Sequence, residues 1–194
     1  MKIIGVTGSS GSGKSTVANI LKEEYNAYLI DADLVAREII ENDKNCLNEI
    51  IENFGEDITY ENKLLKRKML AQIIYSDSKK RELLNSITFK YIKKEINKKI
   101  QDAKEKYKMI IIDAPLLFEI GLDKYCDKII GVIADEKIKI ERIKIRDLIT
   151  KEDVKKRLNA QYSDEFFVQH CDYIVKNNFE SEEDLKNKIR NLLQ

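Results

Sequence analysis

Residues 8–15 read Gly8-Ser9-Ser10-Gly11-Ser12-Gly13-Lys14-Ser15, with glycine at the first and sixth positions and lysine and serine directly after. That spacing suits polyphosphate chemistry. Glycines let several backbone N–H groups converge on phosphate oxygens without obstruction by a Cβ. An apolar run (2–6) precedes the segment and a helical pattern (14–25) follows, so the helix N-terminus adds its positive end to the cradle. The pattern predicts a nucleoside triphosphate site with ATP as the donor. Gly8, Gly11, Ser12 and Gly13 surround the phosphates, Lys14 reaches the β- and γ-phosphates, Ser15 ligates Mg²⁺, and Thr16 supports the phosphates where the helix begins.

Three further groups bear on that chemistry. Asp31 and Asp33, in Ile30-Asp31-Ala32-Asp33, follow an apolar run at the end where open α/β sheets gather their ligands. A hydroxyl that attacks a phosphoryl group needs a carboxylate to orient it and take its proton. Asp33 is the candidate, with Asp31 nearer the strand; the alternative is a helix N-cap with an extra surface acid. Asp113 ends the run Ile110-Ile111-Ile112, and either contacts Mg²⁺, directly or through water, or supports the site structurally. Arg142 and Arg146, four residues apart, share one helix face. They either close over the transferring phosphoryl group or belong to a salt-bridged surface. His170 is the only histidine, which excludes a histidine triad or a multi-histidine metal site and suggests a surface or helix-end residue.

The elements that must hold these groups are legible as runs. Five short apolar stretches, 2–6, 27–30, 109–112, 128–133 and 173–175, lack polar alternation, as strands covered on both faces do. Helical patterns lie between them, including 182–193 with Ser181 as its N-cap. An α/β fold with a five-stranded parallel sheet follows. The gap from 32 to 108 is too long for one crossover, so it predicts a helical insertion, with an extended charged helix at 78–108. A second charged helical stretch, 135–161, separates the fourth and fifth strands, and Thr150 to Asp153 could start a new helix within it. Pro115, the only proline, marks where the third strand stops.

Composition sets the outer limits. The chain has 194 residues, room for one substantial core and an inserted subdomain. Its 35 basic and 34 acidic residues nearly cancel, so it lacks the basic excess of a dedicated nucleic-acid binder. No apolar run approaches the roughly 20 residues of a membrane span. The N-terminal run leads straight into the glycine-rich loop without room for a signal-peptide cleavage region, which predicts a cytoplasmic protein. Cys46, Cys126 and Cys171 are odd in number and far apart, as free, partly buried thiols are. No heptad seam marks an oligomer interface, so oligomeric state is not assigned.

Together these segments resemble the dephospho-coenzyme A kinases along nearly the whole chain. Val6 to Ala18 is similar to that family's first signature, Ile30-Asp31-Ala32-Asp33 with Ala36-Arg37 to its second, and Pro115-Leu116-Leu117-Phe118-Glu119 to its third. The resemblance implies a three-layer α/β/α P-loop kinase fold in a single domain. Its nucleotide core would span about 1–35, 108–135 and 166–194, its helical substrate-binding insertion about 36–107, and its lid about 136–165. It implies transfer of the ATP γ-phosphoryl group to the ribose 3′-hydroxyl of dephospho-coenzyme A, a small-molecule acceptor. Asp33 matches the family's base, and Thr7 a position near the transferring phosphate. Arg142 matches the lid arginine. Arg67 matches a substrate arginine, with Arg37, Leu116 and Glu119 also on the substrate side, and Asn177 an asparagine near the nucleotide base. Asn62-Lys63, Phe89-Lys90 and Phe179 depart from the usual pattern, all away from the phosphate chemistry. The competing readings are another small-molecule P-loop kinase, acting on a nucleoside or nucleotide, and a nucleotide-dependent switch. A GTPase switch needs Asp-x-x-Gly and Asn-Lys-x-Asp segments, and the chain has neither.

Overall fold

Apolar, largely β-branched side chains crowd five short segments, and each becomes a strand: β1 (Lys2–Thr7), β2 (Tyr28–Asp31), β3 (Met109–Asp113), β4 (Lys128–Ile133) and β5 (Tyr173–Lys176). In the computed structural model, which describes residues 1–60, 64–178 and 181–193, they form a parallel sheet in the order β2-β3-β1-β4-β5. Asn62, Lys63 and Phe179 lie outside the described residues. The sheet confirms the α/β expectation and moves several strand ends by a residue. Thr7 pairs with Gly131, Asp31 with Asp113 and Lys176 with Ile133, so ladder partners carry each strand past its apolar run. Ala27 stays out of β2 because its N–H is taken by the carbonyl of Lys22.

Parallel strands require crossovers, and helices supply them. The first of them, α1 (Lys14–Tyr25), follows β1 and ends at Asn26, a left-handed residue with φ 47°. Next come α2 (Ala32–Asn42), α3 (Lys44–Phe54), α4 (Arg67–Ser76) and α5 (Ser78–Ala103), all before β3. Between β3 and β4 lies the short α6 (Leu117–Ile120), and between β4 and β5 lie α7 (Glu136–Asp147), α8 (Lys151–Asn159) and α9 (Asp164–His170). The chain closes with α10 (Glu182–Leu193), whose Asp184 N–H donates to the predicted cap Ser181.

Two expected helices are shorter than the patterns suggested. The charged helix that starts at Ser78 stops at Ala103 and not at residue 108, because the carbonyl of Lys108 already accepts from Lys2 N–H at the sheet. The 135–161 stretch divides at Leu148, an exposed residue at φ 53°, and Thr150 then caps α8 by accepting from Asp153 N–H.

The sheet is covered on both faces. On one, Ile4, Val6, Ile111, Ile130, Val132 and Val175 pack against Val17, Ala18, Ile20 and Leu21 of α1 and Leu185 and Ile189 of α10. Full burial of each such side chain contributes about 1.5–3 kcal/mol. On the other face the strands come so close to their cover that glycine is required. A Cβ on Gly5 would lie 2.8 Å from Cys126 Sγ and 3.1 Å from Leu117 Cδ2, and one on Gly131 would lie 2.9 Å from Cys171 Sγ. All three cysteines are free thiols, and burial pushes Cys126 and Cys171 up to about 12, so they are packing groups.

The chain divides into two units, Met1–Asp31 with Ile100–Gln194, and Ala32–Lys99. The first holds the sheet. The second is helical, with Val35, Ile39, Cys46, Ile50, Ile58, Leu70, Leu84 and Ile87 buried. Within it Glu49 of α3 accepts from Lys90 at 2.6 Å and Tyr91 at 2.9 Å on α5. No helix among the described residues is long and apolar enough to cross a membrane.

The close cover at Gly5 makes a direct prediction. Gly5→Ala lowers stability by about 2 kcal/mol, the scale of overpacking a filled core. In a Cys126→Ala background the same substitution costs less, because the atom it strikes is gone; chemical denaturation of the four variants measures the coupling.

Candidate active site

β1 runs between β3 and β4, so the loop that leaves its carboxyl end at Thr7 emerges at the middle of the sheet. Residues 8–13 turn back to start α1 at Lys14. Two of the glycines are dictated by both conformation and space. Gly11 has φ 77°, and a Cβ there would lie 2.7 Å from the carbonyl oxygen of Lys139. Gly13 has φ 89°, and its Cβ would lie 2.0 Å from Asn177 Nδ2. Gly13 is also the N-cap of α1, where no side chain caps the first turn and no acid occupies it. The N–H groups at that end therefore remain available to an anion.

Lys14 is aimed by an acid. Its Nζ donates to Asp113 Oδ1 at 2.5 Å, with the two side chains only 13% and 5% exposed. Asp113 is the last residue of β3, and its register partner on β2 is Asp31, so two carboxylates stand side by side at the carboxyl ends of adjacent strands. Ser15 and Thr16 follow Lys14 in the exposed first turn of α1. Thr7 and Ser12, at the two ends of the loop, are fully buried, and their hydroxyls have no hydrogen-bond partner among the described residues.

The outer side of the loop is held by residues distant in sequence. Arg142 Nη1 donates to the carbonyls of Gly11 at 3.2 Å and Ser12 at 3.3 Å, and Asn177 Nδ2 donates to Ser12 O at 3.0 Å. Partial burial lowers the Arg142 guanidinium from its usual range. Ser10 N–H donates to Gln161 Oε1 at 2.9 Å. Lys139 Nζ binds both carboxylate oxygens of Asp164, at 2.9 and 3.0 Å, and reaches Ser9 Oγ at 3.4 Å.

The residues expected from sequence are thus distributed. Gly8, Gly11, Ser12, Gly13, Lys14, Asp113, Arg142 and Asn177 gather at the loop. Arg146 bonds to Asp147 on the same helix. Leu116 precedes α6, and Glu119 within it has its carboxyl pushed up by desolvation. His170 ends α9, its ring stacked on Phe166 at 4.0 Å and its Nδ1 2.8 Å from the Phe166 carbonyl oxygen, the expected helix-end role. Asp33, Arg37 and Arg67 belong to the helical unit. Asp33 is exposed in the first turn of α2. Arg37 and Arg67 line a cavity of about 180 Å³ walled by Ile40, Leu65, Leu70, Ala71, Ile74 and Leu84, and Arg67 is paired with Glu41.

Sequence reasoning missed Lys139, Gln161 and Asp164. Lys139 looked like one more surface charge in a basic stretch. The available signal was its spacing: residues 139, 142 and 143 form one helical stripe, and Ile143 is fully buried.

Comparisons with known proteins give the family of the chain. A family model described as dephospho-CoA kinase matches residues 2–183. The dephospho-CoA kinase of Fusobacterium nucleatum is 40% identical over 191 residues, 96% of this chain and 94% of that protein. That of Enterococcus faecalis is 35% identical over 182 residues, covering 94% and 91%. Among solved structures, a dephospho-CoA kinase from Campylobacter jejuni superposes with a TM-score of 0.71 at 27% identity, covering 100% of this chain and 96% of that one. Shikimate kinase from Acinetobacter baumannii, at 16% identity and a TM-score of 0.56 over 100% of this chain and 93% of its own, shares the fold.

The junction of α7 and α8 carries a pH-dependent clasp. Arg146 and Arg157 both bond to Asp147 and hold its carboxyl down to about 2. A depressed carboxylate stabilises the fold above its unfolded value, about 3.9, and loses that contribution as pH falls toward 2. Asp147→Asn therefore lowers the Tm at pH 7, and the gap to the parent chain narrows between pH 4 and pH 2 in thermal melts.

Proposed function

The chain belongs to the dephospho-CoA kinase family, and from that premise we propose how its residues transfer the γ-phosphoryl group of ATP to the ribose 3′-hydroxyl of dephospho-coenzyme A, giving coenzyme A and ADP. The observation that carries this reading is the N-terminus of α1 at Gly13, which no side chain caps, with Lys14 held beside it by Asp113. Phosphate oxygens take up N–H groups that the helix leaves without partners at that end.

The backbone of residues 8–13, with Gly8, Gly11, Ser12 and Gly13, cradles the β- and γ-phosphates, and Thr16 supports them from the first turn of α1. Lys14 is a catalytic cation on the γ-phosphoryl group, and Asp113 keeps its long side chain directed. Thr7 donates its hydroxyl to the transferring group. Arg142 neutralises the charge that gathers there, for which its guanidinium leaves the Gly11 and Ser12 carbonyls that it holds on the outer side of the loop. Asn177 braces the loop on the side of the nucleotide base.

Ser15 and Asp113 are the residues that would hold Mg²⁺. Both offer oxygen, the ligand Mg²⁺ prefers, and one or two protein oxygens suffice because phosphates and waters complete its shell. The ion supplies charge neutralisation on the phosphate oxygens when bound.

On the acceptor side, Asp33 takes the proton of the 3′-hydroxyl as its oxygen bonds to phosphorus and the bond to the ADP oxygen breaks. Arg37 and Arg67 bind the acceptor's phosphates beside the apolar cavity that they line. The setting is cytoplasmic and the partner a small molecule.

ADP release, coupled to a reporter and run with ATP, Mg²⁺ and a panel of acceptors, tests the assignment. Dephospho-coenzyme A turns over fastest and yields a 3′-phosphorylated product; faster turnover of a nucleoside or nucleoside monophosphate would reject it. Asp33→Asn keeps ATP affinity and lowers kcat by about 10² or more, the scale of losing a positioned base. Near-normal kcat in that variant would remove Asp33 from the role.

A further inference from the structure

Lys139 is among the few charged residues buried in the described chain, 8% exposed. It touches the phosphate loop in two ways. Its backbone lies against Gly11, where an added Cβ would come within 2.7 Å of its carbonyl oxygen and 3.0 Å of its Cα. Its ammonium reaches over the loop to Ser9 Oγ at 3.4 Å while bonding both oxygens of Asp164, which opens α9. Asp164 Oδ1 in turn accepts from Ser9 Oγ at 3.4 Å. One residue of α7 thereby spans the loop from Ser9 to Gly11 and ties α7 to α9.

We propose that Lys139, through its pair with Asp164, is a positioning residue for triphosphate binding: it seats α7 on the loop and so keeps Arg142 on the carbonyls of Gly11 and Ser12. The spacing supports this, because Lys139, Arg142 and Ile143 form one stripe of α7. Ile143 Cγ1 is also among the atoms nearest to the added Cβ at Gly11, at 3.0 Å. The energetics point the same way. Lys139 is buried and Asp164 half-buried, and such an ion pair gains little net stability over apolar groups of similar size, since desolvation of the lysine offsets much of the attraction. What this pair does supply is a fixed distance between α7, α9 and the loop. A loop held in its binding shape loses less freedom when phosphates arrive.

The inference rests on reading residues 8–16 as an ATP cradle, and direct binding separates the two ideas. ATP dissociation constants are measured by calorimetry on the full chain for the parent, Lys139→Met, the double variant Lys139→Met with Asp164→Asn, Arg142→Ala, and Lys139→Met with Arg142→Ala. The Lys139–Asp164 double variant leaves no unpaired charge, so it folds, as circular dichroism checks. It binds ATP about tenfold more weakly, with the KM for dephospho-coenzyme A unchanged. The loss from Lys139→Met shrinks once Arg142 is absent, because the lysine acts through the arginine. ATP affinity within twofold of the parent in the folded double variant overturns the inference, and so does a full, additive loss in the Arg142→Ala background. Failure of the parent chain to bind ATP overturns the cradle reading and this inference with it.

Discussion

A loop that turns its N–H groups toward one anion must turn carbonyls away from it, and those carbonyls need donors of their own. In this chain the need is met at Gly11 and Ser12 by Arg142 and Asn177, and the remaining side of the loop is held by Gln161 and the Lys139–Asp164 pair. The glycines matter for the same reason. Residue 13 has no side chain because Asn177, which donates to the loop, stands where one would be, and residue 11 has none because the backbone of Lys139 does. The shape of the loop's inner side thus depends on a hydrogen-bonding shell on the outside.

The sheet makes that shell possible. With β1 between β3 and β4, the ends of two further strands reach its loop: β3 brings Asp113 to Lys14, and β5 brings Asn177, directly after its last residue, to Ser12. Lys14 is long and flexible, and a lysine in a phosphate site is useful only if it is aimed. The Asp113 carboxylate aims it, and it costs no extra backbone because β3 ends there.

The region expected to be a lid therefore has two characters. The first turns of α7 are fastened to the loop through Lys139, Arg142 and Ile143. Beyond Leu148, α8 has its own cap at Thr150 and meets the loop through α7, its Val154 packing with Ile140 and Ile143. Arg146 and Arg157, clasped on Asp147, join the two helices at that junction.

The residues alone disclosed the phosphate loop, the Asp31–Asp33 and Asp113 acids, the parallel sheet and a helical insertion, since each is written in local spacing: glycine positions, unbroken apolar runs, an acid at a strand's end. Strand ends were displaced by a residue because the partner strand, not hydropathy, decides where a ladder stops. What only the tertiary structure decided is the work of each charged side chain. Lys139 and Arg142 sit among nine basic residues between Glu136 and Ala160 that look alike in sequence, and Asp164 lies 25 residues from its partner. Which of those charges is buried against the phosphate loop and which stays in water follows from how α7 packs on a loop more than a hundred residues earlier in the chain, and no local pattern encodes that contact.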